Sequence, residues 1–216
     1  MGATGYSPAY QRLIADDRRL RELLEGSSFY DATFAEWEQG RRFIASAVNR
    51  GGAFLDIGCG NGFLLRCLQE WSRHAFEPFG IDTDEPRLVQ AKELFADRVD
   101  QFAVCDAALF AAQPARRDGD LARFPRRFEL IYWNVWDNAR FPERVCRTIL
   151  DGRADLLQPG GRLILGFYHP SRSRNLLRID ELKELGYVVD GSARLRAATK
   201  SSHGLIGPRQ SKPVER

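Results

Sequence analysis

The sequence predicts an α/β fold: a doubly wound, mostly parallel seven-stranded sheet with helices on both faces and a helical N-terminal cap. Two observations support this. After residue 50, short apolar runs alternate with segments of helical periodicity, which is the pattern of a parallel sheet with crossover helices. Before residue 50, only helical periodicity occurs. We therefore expect a cap or lid in residues 1–50 and the main unit in residues 51–216, together forming one structural domain.

The predicted cap contains two amphipathic helices joined by a turn at residues 26–28. The first covers residues 9–25, and the second covers residues 31–48 with Asp31 or Thr33 as its N-cap. The apolar positions of the first helix share one face: Leu13, Leu20 and Leu24. Trp37, in the second helix, belongs either to the helix core or to a lid that closes over a ligand.

Apolar runs predict the strands. The clearest are Ala53–Ile57, Phe76–Ile81, Val99–Cys105, Phe128–Val135 and Leu163–Tyr168. Two weaker runs, Tyr187–Val189 and residues 204–207, would complete the sheet. Gly186 stands just after a further helical segment, and it predicts a glycine C-cap there. Such buried strands, separated by helical crossovers, are typical of parallel sheets.

Composition and charge argue against several classes of protein: nucleic-acid-binding, membrane, secreted and metal-binding. The net charge is only +3, so overall charge does not argue for a nucleic-acid partner. No stretch approaches the roughly 18 apolar residues of a membrane span, and the first residues lack the apolar core of a signal peptide. We expect a cytoplasmic protein without a membrane partner. The four cysteines show no C-x-x-C spacing, so free thiols are expected and no metal site is predicted.

A glycine-rich turn, Asp56-Ile57-Gly58-Cys59-Gly60-Asn61-Gly62, follows the first predicted strand. Ligands of open α/β sheets bind at the carboxyl ends of the strands, and glycines let the main chain approach a ligand closely. The dinucleotide fingerprint needs a third glycine where this chain has Phe63. An NAD-dependent oxidoreductase is therefore the less favoured alternative. The acidic Asp56 suits a cation better than a pyrophosphate.

The order of short motifs resembles that of the class I S-adenosylmethionine-dependent methyltransferases, whose fold is Rossmann-like. The resemblance covers roughly residues 50–190, and the motifs that carry it are Leu55–Gly62, Phe79–Asp82, Val104–Ala107, Phe128–Asn134 and Leu157–Leu163. It implies S-adenosylmethionine as cofactor, S-adenosylhomocysteine as product, and methyl transfer as the reaction.

The resemblance also implies roles for individual residues. Asp56 would attract the cofactor's ammonium group, Asp82 would accept hydrogen bonds from the ribose diol, and Asp106 would accept one from the adenine amine. Asp82 and Asp106 have an alternative reading as helix N-caps. The complete set of implied cofactor-binding residues is Tyr30, Asp56, Gly58, Cys59, Gly60, Gly62, Asp82, Thr83, Asp106, Ala107 and Asn134.

The sequence says less about the residues that would bind the methyl acceptor. Catalytic candidates are Asn134, Asp137 and His169, at or after the ends of the fourth and fifth predicted strands. The near-neutral pKa of an unperturbed histidine suits His169 as a general base. The alternatives are that Asp137 and His169 are polar loop residues and that Asn134 is an orienting hydrogen bonder or a loop residue. The family's base-methylating members place two prolines after this Asn, where this chain has Val135-Trp136. We therefore expect methyl transfer to O or N of a small molecule. An RNA or protein acceptor, suggested by the arginines of residues 116–127, and a cofactor-binding protein without turnover remain alternatives.

Overall fold

The computed structural model describes residues 5–27, 33–113, 118–135, 140–167, 172–194 and 204–209. The helices are α1 (Pro8–Ala15), α2 (Asp17–Ser27), α3 (Phe34–Gln39), α4 (Phe63–Trp71), α5 (Glu85–Leu94), α6 (Ala107–Ala112), α7 (Arg144–Leu156) and α8 (Arg172–Glu184). The strands are β1 (Gly52–Ile57), β2 (Phe76–Asp82), β3 (Phe102–Val104), β4 (Phe128–Val135), β5 (Leu157–Phe167), β6 (Val188–Arg194) and β7 (Gly204–Arg209).

The strands form one sheet in the order β3-β2-β1-β4-β5-β7-β6. Strands β1 to β5 are parallel, and β7 runs antiparallel to both β5 and β6. The chain winds outward from β1 to β3 and then returns to place β4 on the other side of β1. The predicted Rossmann-like α/β fold, a parallel sheet flanked by helices, is therefore confirmed. The topological switch point lies between β1 and β4, where such sheets bind ligands.

Each face of the sheet has its own apolar core. Helices α6, α7 and α8 cover the face that carries Leu55, Ile131 and Leu165. Helices α4 and α5 and the N-terminal helices cover the opposite face, which carries Phe54 and Tyr132. Successive strand residues point to opposite faces, so Asp56, two residues after Phe54, belongs to the second face.

The N-terminal region differs from the prediction in its helix boundaries. The single helix expected over residues 9–25 is two helices, because Asp16 is extended and its side chain accepts the N–H of Arg19 at the start of α2. The predicted Thr33 N-cap is confirmed, and it forms a capping box with Glu36. After α3 the chain turns into a 3-10 helix over Arg42–Ala47 instead of continuing as α-helix.

The strand boundaries also differ at two places. The expected strand from residue 99 to 105 is shorter, because Val99–Gln101 forms a 3-10 turn before β3. Strand β5 begins at Leu157, earlier than expected. The glycine C-cap is confirmed: Gly186 has a φ of 83°, and the N–H of Tyr187 donates to the carbonyl of Leu182 across the end of α8.

The N-terminal helices are bonded to α4. Both the N–H and the hydroxyl of Ser7, the N-cap of α1, donate to the Glu70 carboxylate, at 2.9 and 2.6 Å. Trp37 is 1% exposed and stacks on Phe63 with ring centroids 4.8 Å apart. It therefore belongs to the core, the first of its two readings.

The four cysteines are free, as expected, and all except Cys105 are buried. Within the described parts of the chain, no helix is both long and apolar enough to cross a membrane.

Candidate functional site

The glycine turn leaves β1 at the switch point and is tied to β2 by its main chain. The N–H groups of Gly58 and Cys59 donate to the carbonyl of Ile81 at 2.8 and 3.1 Å. Gly58, Gly60 and Gly62 all have positive φ, at 76°, 55° and 71°. Side chains disfavour this left-handed region, so glycine is needed at all three positions for the backbone alone.

The three glycines face different surroundings. A Cβ at Gly58 would have no heavy atom within 4 Å, so this glycine borders open space. A Cβ at Gly62 would meet Ala91 and Phe95 of the α5 region at 3.2 Å, so helix packing also requires this glycine. Gly60 is intermediate, because a Cβ there would lie 3.7 Å from the carbonyl oxygen of Gly26. The open side of the turn, where a ligand has room, is therefore at Gly58.

Asp82, at the end of β2, holds the turn from the side. One carboxylate oxygen accepts the N–H of Gly60 at 2.7 Å, and the other accepts the N–H of Asp84 at 2.9 Å. Asp84, and not Asp82, is the N-cap of α5, because its side chain accepts the N–H of Arg87. The capping alternative for Asp82 therefore does not apply. Its oxygens retain lone pairs for further donors, since an ionised carboxylate offers about four acceptor sites. Thr83, beside it, is exposed.

Asp56 lies beneath the turn and is 2% exposed. Its Oδ1 is buried and has no hydrogen-bond partner among the described residues. Burial, followed by the charge of Asp82, raises the pKa of Asp56 to about 8. A buried carboxyl oxygen without a donor is costly for a fold. This oxygen can accept a hydrogen bond from a further donor.

Asp106, at the end of β3, is exposed and serves as the N-cap of α6. Its Oδ1 accepts the N–H groups of Ala108 and Leu109 at 2.8 and 2.9 Å. The capping alternative is thus observed for this residue. Ala107 is the first residue of α6, so its N–H has no acceptor within the helix.

Asn134, near the end of β4, is exposed and is paired in register with Gly166 of β5. It lies two residues beyond Tyr132, which is the register partner of Asp56, and so belongs to the same face of the sheet. The structure therefore places Asn134 beside the switch point with Asp56 and Asp82. The other acceptor-side candidates, Asp137 and His169, lie outside the described residues, as does Tyr30.

Three solved structures illustrate what the chain resembles. The N-methyltransferase NodS from Bradyrhizobium japonicum WM9, in complex with S-adenosyl-L-homocysteine, is 17% identical with a TM-score of 0.57, and the match covers 94% of this chain and 97% of that one. Aeropyrum pernix fibrillarin with bound S-adenosyl-L-methionine is 14% identical with a TM-score of 0.56 (80% and 76% covered). The [4+2]-cyclase SpnF is 14% identical with a TM-score of 0.60 (93% and 94% covered).

The chain has the fold of the class I S-adenosylmethionine-dependent methyltransferases. No protein-family model matches the sequence, and neither does any curated protein. At identities of 14–17% the structural likeness establishes the fold. What this chain binds and does is inferred from its own site residues.

Cys59 is a residue of the methyltransferase-fold turn whose side chain enters the core. Its thiol is buried against Gly80, where a Cβ would lie 2.6 Å from the sulfur. Burial raises the pKa of this thiol well above its usual range, with smaller contributions from Asp56 and Asp82. Cys59 therefore fills space beneath the turn, and its side chain does not border the open side.

Asn61 is a residue of the turn that the sequence did not single out. Its side chain is fully buried, and its amide donates to the carbonyl of Leu23 in α2 at 2.9 Å. The amide oxygen accepts the N–H of Phe63 at 3.2 Å, so Asn61 also caps the start of α4. An Asn between two glycines is a common turn signal, but nothing in the sequence identifies a partner 38 residues earlier.

A cavity of about 490 Å³ lies at the opposite edge of the methyltransferase fold, at the amino ends of β1, β2 and β4. Its charged lining residues are Glu77, Arg98, Arg127 and Glu129. Because the glycine turn is at the carboxyl ends of the strands, this cavity is separate from the candidate site. Among the residues that the structure describes, no three His, Cys, Asp or Glu side chains are grouped so that they could hold a metal ion.

Proposed function

We propose that the protein is an S-adenosylmethionine-dependent methyltransferase that acts on O or N of a small molecule. The observation that carries this proposal is the orphan Oδ1 of buried Asp56 beneath an open glycine turn. A buried carboxyl oxygen without a donor, beneath the open space at Gly58, suits a ligand that brings a hydrogen-bond donor such as an ammonium group. A pyrophosphate offers only acceptors and is disfavoured there. The fold agrees, because structures that share it hold S-adenosylhomocysteine or S-adenosylmethionine.

The residues present fit each part of this cofactor. Asp56 would accept a hydrogen bond from its ammonium group, and Gly58 leaves room for its amino-acid portion. Asp82 would accept bonds from the ribose hydroxyls in addition to its two main-chain donors. Beyond Asp82, the site offers apolar surface: Val104 is 47% exposed and Leu109 is 62% exposed, on either side of Asp106.

Exposed apolar side chains at these positions suit the two faces of an adenine ring. The N–H of Ala107 suits a ring nitrogen. Asp106 would accept from the adenine amine with the carboxylate oxygen that does not cap α6, since both capping bonds end on Oδ1. In this proposal, the carboxylates at the carboxyl ends of β1, β2 and β3 would accept from the ammonium, ribose and adenine groups in that order.

The cofactor supplies a methyl group on a positively charged sulfur, which a nucleophile of the acceptor can attack. In this chain, Asn134 would orient the acceptor by hydrogen bonds at the end of β4. His169 and Asp137 are our candidates for removing a proton from the acceptor. Orientation supplies much of the rate in such displacements, because the reacting atoms must be aligned at near-attack distance. We also propose that the helices of residues 5–27 and 33–47 form a lid over this site.

A small-molecule acceptor is favoured by the segment after β4, where Val135-Trp136 stand in place of the two prolines of base-methylating enzymes. RNA or protein acceptors are the alternatives within the same reaction class. A second candidate function is cofactor binding without methyl transfer. It is favoured by the similarity to a [4+2]-cyclase, since that protein shares the fold at the highest TM-score of the three structures described.

Calorimetric titration tests the cofactor. We expect S-adenosylmethionine and S-adenosylhomocysteine to bind the wild-type protein with Kd values in the micromolar range, and NAD not to bind. Asp82→Ala should weaken binding by about 100-fold, because two ribose hydrogen bonds to a charged acceptor are lost. Asp84→Ala is the matched control, since it removes a neighbouring carboxylate that caps α5 and pairs with Arg87 of the same helix.

Binding of NAD alone would contradict the proposal and make the turn a variant dinucleotide site. Turnover is measured separately, by transfer of labelled methyl groups from S-adenosylmethionine to small molecules, RNA or protein of a cell extract. Label in the small-molecule fraction supports the proposed acceptor. Label only in RNA or protein replaces it with the first alternative, and cofactor binding without any transfer favours the second candidate function.

A further inference from the structure

The glycine turn is joined to the N-terminal helices by one buried side chain. Asn61 is 0% exposed, and its Nδ2 donates to the carbonyl of Leu23, in α2, at 2.9 Å. The same nitrogen lies 3.4 Å from Oε1 of Gln90 in α5. Asn61 therefore connects three elements: the turn, the end of α2 and α5. It is the described polar side chain through which the turn and α2 are bonded.

The fit between α2 and the turn leaves no spare volume. A Cβ at Gly26 would lie 2.6 Å from Nδ2 of Asn61 and 2.7 Å from Oε1 of Gln90, distances that side chains do not tolerate. On the other side, a Cβ at Gly60 would lie 3.7 Å from the carbonyl oxygen of Gly26. The last turn of α2 therefore rests directly on the residues that form the candidate cofactor site.

The position of α2 also has an electrostatic consequence. The carboxyl end of a helix carries a partial negative charge from its unsatisfied carbonyls. In this protein, the carbonyl of Gly26 in the last turn of α2 lies against Gly60, in the turn that forms the candidate cofactor site. A docked α2 thus adds to the favourable potential that Asp82 provides, and an undocked α2 would withdraw it.

We propose that Asn61 is a positioning residue that couples the docking of α2 to cofactor binding. This inference rests on the proposed function. Coupling between two sites is reciprocal: if docked α2 strengthens cofactor binding by some factor, bound cofactor strengthens the docking of α2 by the same factor. The N-terminal helices are then part of the binding equilibrium and respond to the cofactor.

Asn61→Asp tests the coupling with almost no change in volume. The variant keeps an oxygen for the N–H of Phe63, but it loses the amide donor and places a carboxylate against the carbonyl of Leu23. We expect the Kd for S-adenosylhomocysteine, measured by calorimetry, to rise at least about tenfold. Hydrogen exchange of α2 amides, followed with and without S-adenosylhomocysteine, should show ligand protection in the wild type that is lost in the variant.

Arg19→Ala is the matched control on the same helix. It removes the ion pairs of Arg19 with Glu22, in α2, and with Glu93, in α5, and leaves the contact with Asn61 intact. We expect its Kd to stay within about twofold of wild type, since exposed ion pairs contribute little. Protection of α2 by S-adenosylhomocysteine should also be retained.

Gly26→Ala provides a second variant if Asn61→Asp does not fold. It should also weaken binding and abolish ligand protection of α2. Wild-type affinity in the folded variant, or protection that persists in it, would overturn the coupling. A wild-type protein that binds neither S-adenosylmethionine nor S-adenosylhomocysteine would instead refute the proposed function. Asp82→Ala separates the two, because it should lose binding while the α2 exchange of the unliganded protein remains that of wild type.

Discussion

Asp56 and Asp106, at the carboxyl ends of β1 and β3, lie at the same edge of the sheet but differ in burial and hydrogen bonding. Asp56 is buried with an unpartnered oxygen, and its pKa is raised to about 8. Asp106 is exposed and bonded to two main-chain N–H groups of α6. Asp106 has a structural task that explains its presence. Asp56 Oδ1 has no donor among the described residues, and burying a carboxyl oxygen without a donor opposes folding.

This difference allows the proposed ligand-binding role of Asp56 to be tested against a structural role. A residue that stabilises the fold should cost stability when replaced. Some residues bind a ligand but destabilise the fold. Replacing such a residue should increase the free energy of unfolding and abolish ligand binding. Substitutions at the two ends of the site should therefore have opposite signs on stability.

The largest effect is expected for Asp56→Asn. Between the pKa of about 3.8 in the unfolded chain and about 8 in the folded protein, only the unfolded chain is ionised, so wild-type stability falls as pH rises through this interval. Above pH 8 the loss is constant, and below pH 4 it is absent. Each unit of pKa difference corresponds to about 1.4 kcal/mol, so the variant should gain a few kcal/mol at pH 8.

Urea unfolding at pH 4, 6 and 8 measures this gain, which should shrink toward zero at pH 4. The same variant should bind S-adenosylhomocysteine at least about tenfold more weakly at pH 8, because an amide cannot pair with the ligand's ammonium as a carboxylate does. A variant that is less stable than wild type at pH 8 would show that Asp56 has a donor in the folded protein.

The two outer glycines provide the next comparison. Gly62→Ala should cost about 3 kcal/mol, because a left-handed φ opposes a side chain and the new Cβ meets Ala91 and Phe95 at 3.2 Å. Gly58→Ala should cost only the backbone part, about 1–2 kcal/mol, since its Cβ would enter open space. Thermal unfolding measures both. For binding, the order should reverse, with Gly58→Ala weakening S-adenosylhomocysteine more; equal effects at both glycines would place the ligand elsewhere.

The smallest effect is expected for Asp106. Asp106→Ala removes the N-cap of α6 and should cost about 1 kcal/mol in urea unfolding. Asp106→Ser keeps a capping oxygen and should restore most of that stability. Both variants should bind S-adenosylhomocysteine about threefold to tenfold more weakly if the second carboxylate oxygen accepts from adenine. Recovery of wild-type affinity in Asp106→Ser would assign the residue to capping alone.

Sequence reasoning predicted the main features of the fold because parallel strands have a strong local signature. The run Phe128–Val135 matches β4 at both ends, since six of its eight residues are apolar or aromatic and must be buried on two faces. The glycine turn could likewise be located, because three alternating glycines after a strand have few structural uses. Boundaries were less accurate: Asp16 divides one predicted helix, and its extended backbone is decided by capping that competes with helix continuation.

The sequence predicted the position of candidate site residues only where strand order alone brings them together. Asp56, Asp82 and Asn134 are brought together by the sheet, so strand order alone predicts their proximity. The roles that depend on distant partners were not predictable. Asn61 bonds to a carbonyl 38 residues earlier, and a carbonyl has no sequence signature. The sequence could not distinguish helix capping from adenine binding for Asp106, because an Asp that follows a strand suits both roles equally well.

The bonds between α1 and α4 also set an order of assembly during synthesis. The bond from Ser7 to Glu70 cannot form until the ribosome has added Glu70, 63 residues later. The carbonyl of Leu23 likewise has no Asn61 donor until Asn61 has been added. Residues 5–27 are therefore made before β1 and α4 but can reach their final positions only after those elements exist. Until then, the apolar faces of α1 and α2 are open to chaperones and proteases.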